Sequence, residues 1–81
     1  MPALYLLDVP ENRGIIETAE RDPGLSVTRV GAYFQVVAPG GIVIDRRATG
    51  CRHAVWYSAV AGVGGGRVVQ HDKDALRVEP N

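Results

Sequence analysis

Apolar and polar positions alternate with period two along Ala32–Ala38 and again along Ile42–Arg46. Phe34, Val36 and Ala38 alternate with Tyr33, Gln35 and Val37, and Ile42 and Ile44 alternate with Val43 and Asp45. In a pleated strand this spacing sends Phe34, Val36, Ile42 and Ile44 to one buried face and Tyr33 to the other. Pro39-Gly40-Gly41 separates the runs. The glycines supply the positive φ of a tight turn, and Pro39 lacks the N–H a ladder would use. The pattern predicts an antiparallel β-hairpin.

The flanking sequence yields further elements. Ala3–Leu7 is a short apolar run, expected as a buried strand. Asp8-Val9-Pro10-Glu11 has the form of a capping box, with Pro10 in the first turn of a helix reaching about Arg21. Ile15, Ile16 and Ala19 fall on one face of that helix, and Arg13, Glu17 and Glu20 fall outside. Gly14 within it costs about 1 kcal/mol relative to Ala. Arg21-Asp22-Pro23-Gly24 ends the helix. Leu25–Val30 is expected as a strand, with Gly31 a bulge or bend before the hairpin.

Beyond Arg47 the pattern changes. Ala48, Cys51, Val55, Ala59 and Gly62 step at helical spacing, as do Arg52, Trp56 and Val60, whereas Val55-Trp56-Tyr57 favours a strand. The balance points to a helix of about ten residues within residues 48–62. Val63-Gly64-Gly65-Gly66 is expected as a flexible loop, and Arg67–His71 and Ala75–Glu79 as strands around the turn Asp72-Lys73-Asp74. The order β-α-β-β-β-α-β-β predicts one α+β two-layer domain over residues 1–81, an antiparallel sheet with one or two helices packed on one face.

Composition narrows the function classes. A chain of 81 residues buries about 60–65% of its unfolded surface, so its core is thin. Nine basic residues balance nine acidic ones, so no steering towards nucleic acid or an anionic membrane is expected. Eight of the nine basic residues are Arg, the residue suited to planar, bidentate contacts. The single cysteine, Cys51, excludes an internal disulfide and a thiolate metal cage. The first residues carry no basic segment and no apolar run of membrane-spanning length, and a cytoplasmic location is expected.

The candidate chemistry is sparse. A phosphate loop follows a strand and opens a helix. The run Gly62–Gly66 does the reverse, and a plain connector is expected. Cys51, His53 and Ser58 follow Asp45 closely, but residues two apart on a helix diverge. Cys51 is therefore expected as a small core residue and His53 as an ordinary surface side chain. His71-Asp72-Lys73-Asp74 falls short of a hard-ion or zinc ligand set and is expected as a solvated turn. No catalytic residue, metal or cofactor is expected, and the protein is expected to act by binding. Trp56 and Tyr57 cannot both sink into so thin a core. Trp56 has two readings, a core anchor or a partner contact. Tyr33 with Arg46 and Arg47 has two readings as well, an ordinary solvated strand face or a partner contact, and Tyr33, Arg46, Arg47, Trp56 and Tyr57 are the candidate partner-binding residues.

The central stretch, with its lead-in, runs Asp22-Pro23-Gly24, Val27, Gly31-Ala32-Tyr33, Val36, Gly41, Ile42 and Ile44-Asp45-Arg46. Its order and spacing resemble the effector, or coupling, proteins of soluble diiron multicomponent monooxygenases. That group holds the methane monooxygenase regulatory component and the phenol hydroxylase stimulatory component. The resemblance implies an α+β core and a cofactor-free subunit of a bacterial enzyme complex. It implies docking on the hydroxylase, where the subunit would tune substrate, oxygen and electron access. The chain departs from the family after Arg47. The second helical segment is shorter, and the closing Ala-Gly-Arg-Ile-like stretch is split between Ala61-Gly62 and Arg67-Val68. The polar N-terminal tail usual in the family is not found among residues 1–81. A different reading is a structural accessory subunit that stabilises another enzyme complex without touching its chemistry.

Overall fold

The computed structural model describes all residues from Met1 to Asn81. In the first strand, β1 (Ala3–Leu7), Leu4 and Leu6 are fully buried while Tyr5 and Leu7 turn outward. The chain then makes a 3-10 turn at Pro10–Asn12 and enters α1 (Arg13–Arg21), which buries Ile15, Ile16 and Ala19 and exposes Arg13, Glu17 and Glu20 as its periodicity predicts. Three more strands follow: β2 (Ser26–Val30), β3 (Tyr33–Val37) and β4 (Ile42–Asp45). Two short helices, α2 (Arg46–Thr49) and α3 (His53–Ser58), precede β5 (Val60–Gly64), β6 (Gly66–His71) and β7 (Ala75–Pro80). The domain is α+β, and its strands divide into a four-stranded antiparallel sheet, β2-β3-β1-β5, and a three-stranded one, β4-β7-β6.

This division corrects the expected hairpin. β3 pairs with β1 and β2, while β4 pairs with β7, so the two alternating runs lie in different sheets. Val36, Ile42 and Ile44 are buried as expected and Phe34 packs partly against them, because both sheets face one shared core. Period-two alternation selects a face of a strand and says nothing about its partner. Pro39-Gly40-Gly41 carries the chain from one sheet to the other. The hairpin lies one turn earlier: Val30 pairs with Tyr33 around Gly31-Ala32, so Gly31 is a turn residue and not a bulge.

The predicted capping box is also absent, since no side chain caps either the 3-10 turn or α1. Asp8 instead forms an ion pair with Arg29 at 2.9 Å. The buried Asn12 donates its Nδ2 to Leu7 O at 2.9 Å, which ties the turn back to β1.

Residues 48–62 do not form one helix of ten residues. α2 stops at Gly50, whose φ of 69° is left-handed, and α3 starts afresh at His53. From Val60 the chain is a strand on β1. Small residues permitted a helix, but the edge of β1 offered ladder partners, and tertiary pairing outweighed weak propensity. The glycine run is likewise no flexible loop. β5 extends through Gly64 and β6 starts at Gly66, with only Gly65 between them. Gly65 holds φ 64°, and a Cβ there would overlap the carbonyl of Met1. The expected strands after it are present, and Asp72 Oδ1 closes the turn between them by accepting from Asp74 N at 2.9 Å and Ala75 N at 3.1 Å.

No repeat is visible in the sequence, yet the topology repeats. In the first half β1, a helix, β2 and β3 are arranged with β3 central between β1 and β2. In the second half β4, a helical segment, β6 and β7 are arranged with β7 central between β4 and β6. β5 is the one strand outside this scheme.

The halves meet where α1 crosses α2. Thr18 Oγ1 donates to Gly14 O at 2.8 Å and lies 3.2 Å from Ala48 O, and a Cβ at Gly14 would overlap the carbonyl oxygen of Thr49. Helix propensity alone makes Gly14→Ala stabilising by about 1 kcal/mol. The clash with a fixed backbone carbonyl costs about 1–3 kcal/mol or more. Gly14→Ala is therefore expected to lower the midpoint of urea unfolding, and a raised midpoint would show that α1 and α2 can separate freely.

Candidate functional site

One face of the four-stranded sheet keeps large apolar side chains exposed, with Val55 of α3 and Ala59 at its margin. Because side chains alternate, Leu4, Leu6 and Val36 point to the core while Tyr5, Leu7, Tyr33 and Gln35 point outward. The register sets Leu7 opposite Tyr33, Tyr33 opposite Val30, and Tyr5 opposite Gln35. Leu7, Val30 and Tyr33 are 39%, 49% and 41% exposed, a cluster of large apolar side chains on the outside of so small a domain. The polar groups within it satisfy one another: Gln35 Nε2 donates to the Tyr5 hydroxyl at 2.8 Å.

β5 shapes this face by what it lacks. Gly62 and Gly64 stand opposite Tyr5 and Ala3, and no side chain rises there. The result is a shallow depression of about 280 Å3 lined by Tyr5, Tyr33, Ala61 and Gly62. A second hollow, of about 340 Å3, lies on the other side of Tyr33 among Leu7, Val9, Asn12, Val55 and Ala59. Tyr33 forms the ridge between the two. Flat aromatic ridges flanked by hollows suit protein contacts, since a rigid ring buries much area and loses little side-chain entropy.

The other predicted contact residues lie elsewhere. Trp56 is 1% exposed and belongs to the core, so its reading as a partner contact is withdrawn. Its Nε1 donates to Asp72 O at 2.6 Å, and its ring meets His71 edge-on at 5.6 Å. The ring is large enough to fill a thin core and the N–H found an acceptor, which removes the usual penalty of burial. Arg46 is half-buried: its Nε donates to Lys73 O, its Nη1 to Cys51 O at 3.3 Å, and its amide to Asp74 O at 3.0 Å. It thus braces the β6–β7 turn. Arg47 is exposed. Tyr57 is 48% exposed and lies against His71 at 5.2 Å and His53 at 6.4 Å between ring centroids. The five candidates therefore separate into Tyr33 on the outer sheet face, Tyr57 and Arg47 exposed elsewhere, and Trp56 and Arg46 as structural groups.

Sequence reasoning missed Tyr5, Leu7 and Val30 as surface residues. The signal was present in Ala3–Leu7, which is apolar in both phases of the pleat. A strand apolar on both faces is covered on both, or presents an apolar face to a partner.

Cys51 is half-buried, and its amide donates to Thr49 Oγ1 at 3.1 Å. No three His, Cys, Asp or Glu side chains converge on one point. No helix is long and apolar enough to cross a membrane. No protein-family model and no curated protein matches the chain.

The turn that holds Trp56 is closed by a titratable group, the Asp72 carboxylate. Amide donation from Asp74, then from Ala75, and the Gln70 side chain hold the Asp72 carboxyl below its ordinary 3.8. A depressed carboxylate contributes stability above its unfolded pKa and loses it as pH falls through the lower folded value. Lowering the pH below about 4 is therefore expected to weaken the β6–β7 turn, and Asp72→Asn to flatten that pH dependence. Trp56 fluorescence against pH, in both proteins, checks it.

Proposed function

We propose that this protein is a non-catalytic effector subunit that docks on the hydroxylase of a bacterial diiron monooxygenase and changes access to its active centre. The observation that carries the reading is the exposed apolar cluster around Tyr33 on the outer face. It joins Tyr33, within the stretch that resembles the coupling proteins, to Leu7, Val30 and Tyr5 from the neighbouring strands. A large exposed apolar cluster on a small domain marks a surface that another protein covers. The balanced charge of the chain fits recognition by shape and apolar contact more than by long-range steering.

An effector without chemistry of its own acts only through unequal affinity for two states of its partner. Docking through the Tyr33 face would favour the hydroxylase conformation whose surface matches it. Tyr33 stands on β3, paired on both sides by β1 and β2, so the backbone of that face is ordered before binding and adds little ordering entropy.

The test uses the purified protein with a diiron hydroxylase and reductase from the same source. Wild-type protein is expected to alter turnover or its coupling to reductant. Tyr33→Ala is expected to weaken binding by about thirtyfold, the scale of a contact hot spot of about 2 kcal/mol. Its melting temperature should stay close to wild type, because the ring is exposed. Binding without any change in turnover would favour the accessory-subunit reading. Wild-type affinity in Tyr33→Ala would move the interface off this face.

A further inference from the structure

The edge of β1 and the edge of β4 are equivalent positions in the two topological halves, but only the first is occupied. After α3 the chain lays β5 along β1 and completes a fourth strand. After α1 it runs through Pro23 and Gly24 into β2 and lays nothing along β4. We infer that the free edge of β4 is a second binding site, which accepts an extended segment of a partner protein as an added antiparallel strand, in the manner of β5 on β1.

The hydrogen-bond phase of β4 supports this. Arg46 N donates to Asp74 O at 3.0 Å, in register with the ladder that sets Ile44 against Leu76 and Ile42 against Val78. Antiparallel pairs alternate between bonded and non-bonded. The amides of Ile42 and Ile44 therefore face β7, and those of Val43 and Asp45 face away from it. Beside that edge lies a cleft of about 470 Å3. Leu25, Val43 and Ala48 form its apolar part, and Arg21, Asp22 and Asp45 its charged part. β7, on the opposite side of β4, contributes nothing to it.

The lining also states what the occupant must be. Main-chain donors and acceptors of a strand edge select an extended backbone, and alternate side chains then fill the cleft. The occupant of the equivalent edge, β5, is built of valine, alanine and glycine, and the cleft calls for the same small, apolar side chains. Asp22 Oδ1 already accepts from Gly24 N at 2.8 Å. Asp45 and Arg21 take no part in the single ion pair of the molecule, Arg29 with Asp8. The matching segment is therefore small and apolar at its centre, with a basic side chain for Asp45 and an acidic one for Arg21.

This site is separate from the Tyr33 face and does not rest on the effector reading; its test uses no hydroxylase. A library of random peptides displayed on phage is panned against the intact protein, and recovered peptides are titrated into isotope-labelled protein. The expected peptides have small apolar centres with one basic and one acidic flank. They should shift the Val43 and Asp45 amide signals most and slow their exchange with solvent. Val43→Pro removes an edge donor that β7 does not use, and is expected to weaken binding about tenfold, whereas Val43→Thr stays within about twofold. The amide map on wild-type protein decides the matter even where Val43→Pro fails to fold. The inference is overturned by recovery of no peptide, by shifts centred on Leu7 and Tyr33, or by Val43→Pro binding like wild type. It is overturned equally if sedimentation shows β4 closed by a second copy of the chain.

Discussion

Each half of the molecule contributes three strands to a sheet that turns an apolar face inward, and the two inner faces share one core. The halves therefore bury their faces against each other, and the seam is the crossing of α1 over α2. At that crossing the backbone of Gly14 lies against the carbonyl of Thr49, with no room for a methyl group. Beside this crossing Leu4, Leu6, Ile15, Ile16, Ile42, Ile44, Trp56, Leu76 and Val78 from both sheets and the helices form one core. A small domain has little area to spare, so loosening the seam would expose both sheets at once.

How much of this was legible in the chain depends on the range of the interaction. The buried stripe of α1 and the Asp72 turn are local, and their residues announce them. The face of each strand was legible too, since Val36, Ile42 and Ile44 are buried where alternation puts them. Strand partners were not. Pro39-Gly40-Gly41 has the composition of a hairpin turn but acts as a crossing between sheets, because β3 is paired on both sides by β1 and β2 and β4 finds its partner in β7. The glycines near Gly65 misled in a related way. Gly65 is there because the backbone of Met1 passes against it, a contact with the far end of the chain that no local pattern records.

The candidate surface was half legible for the same reason. Alternation turned Tyr33 outward correctly, but it could not bring Leu7 and Val30 beside it, since those neighbours come from strand order. Arg46 and Trp56 have the composition of a contact site, yet each finds its partners within the fold: Arg46 on Lys73 and Cys51, Trp56 on Asp72. An arginine or tryptophan is as useful for bracing a turn in a thin core as for gripping another protein, and composition alone does not separate the two uses.

The same inventory of strands thus yields two unlike edges and two unlike faces. β5 closes the edge of β1 and, through its glycines, hollows the face beside Tyr33. Its absence from β4 leaves an edge and a cleft. A duplicated topology with one strand added on one side only is a direct route from a symmetric arrangement to an asymmetric surface. For the contact role and the edge site proposed above this asymmetry has a consequence: a face that fits one arrangement of a partner and an edge that pairs with an extended segment would respond to different features of their occupants. Differential affinity for two states arises when one state offers a match to both and the other to only one.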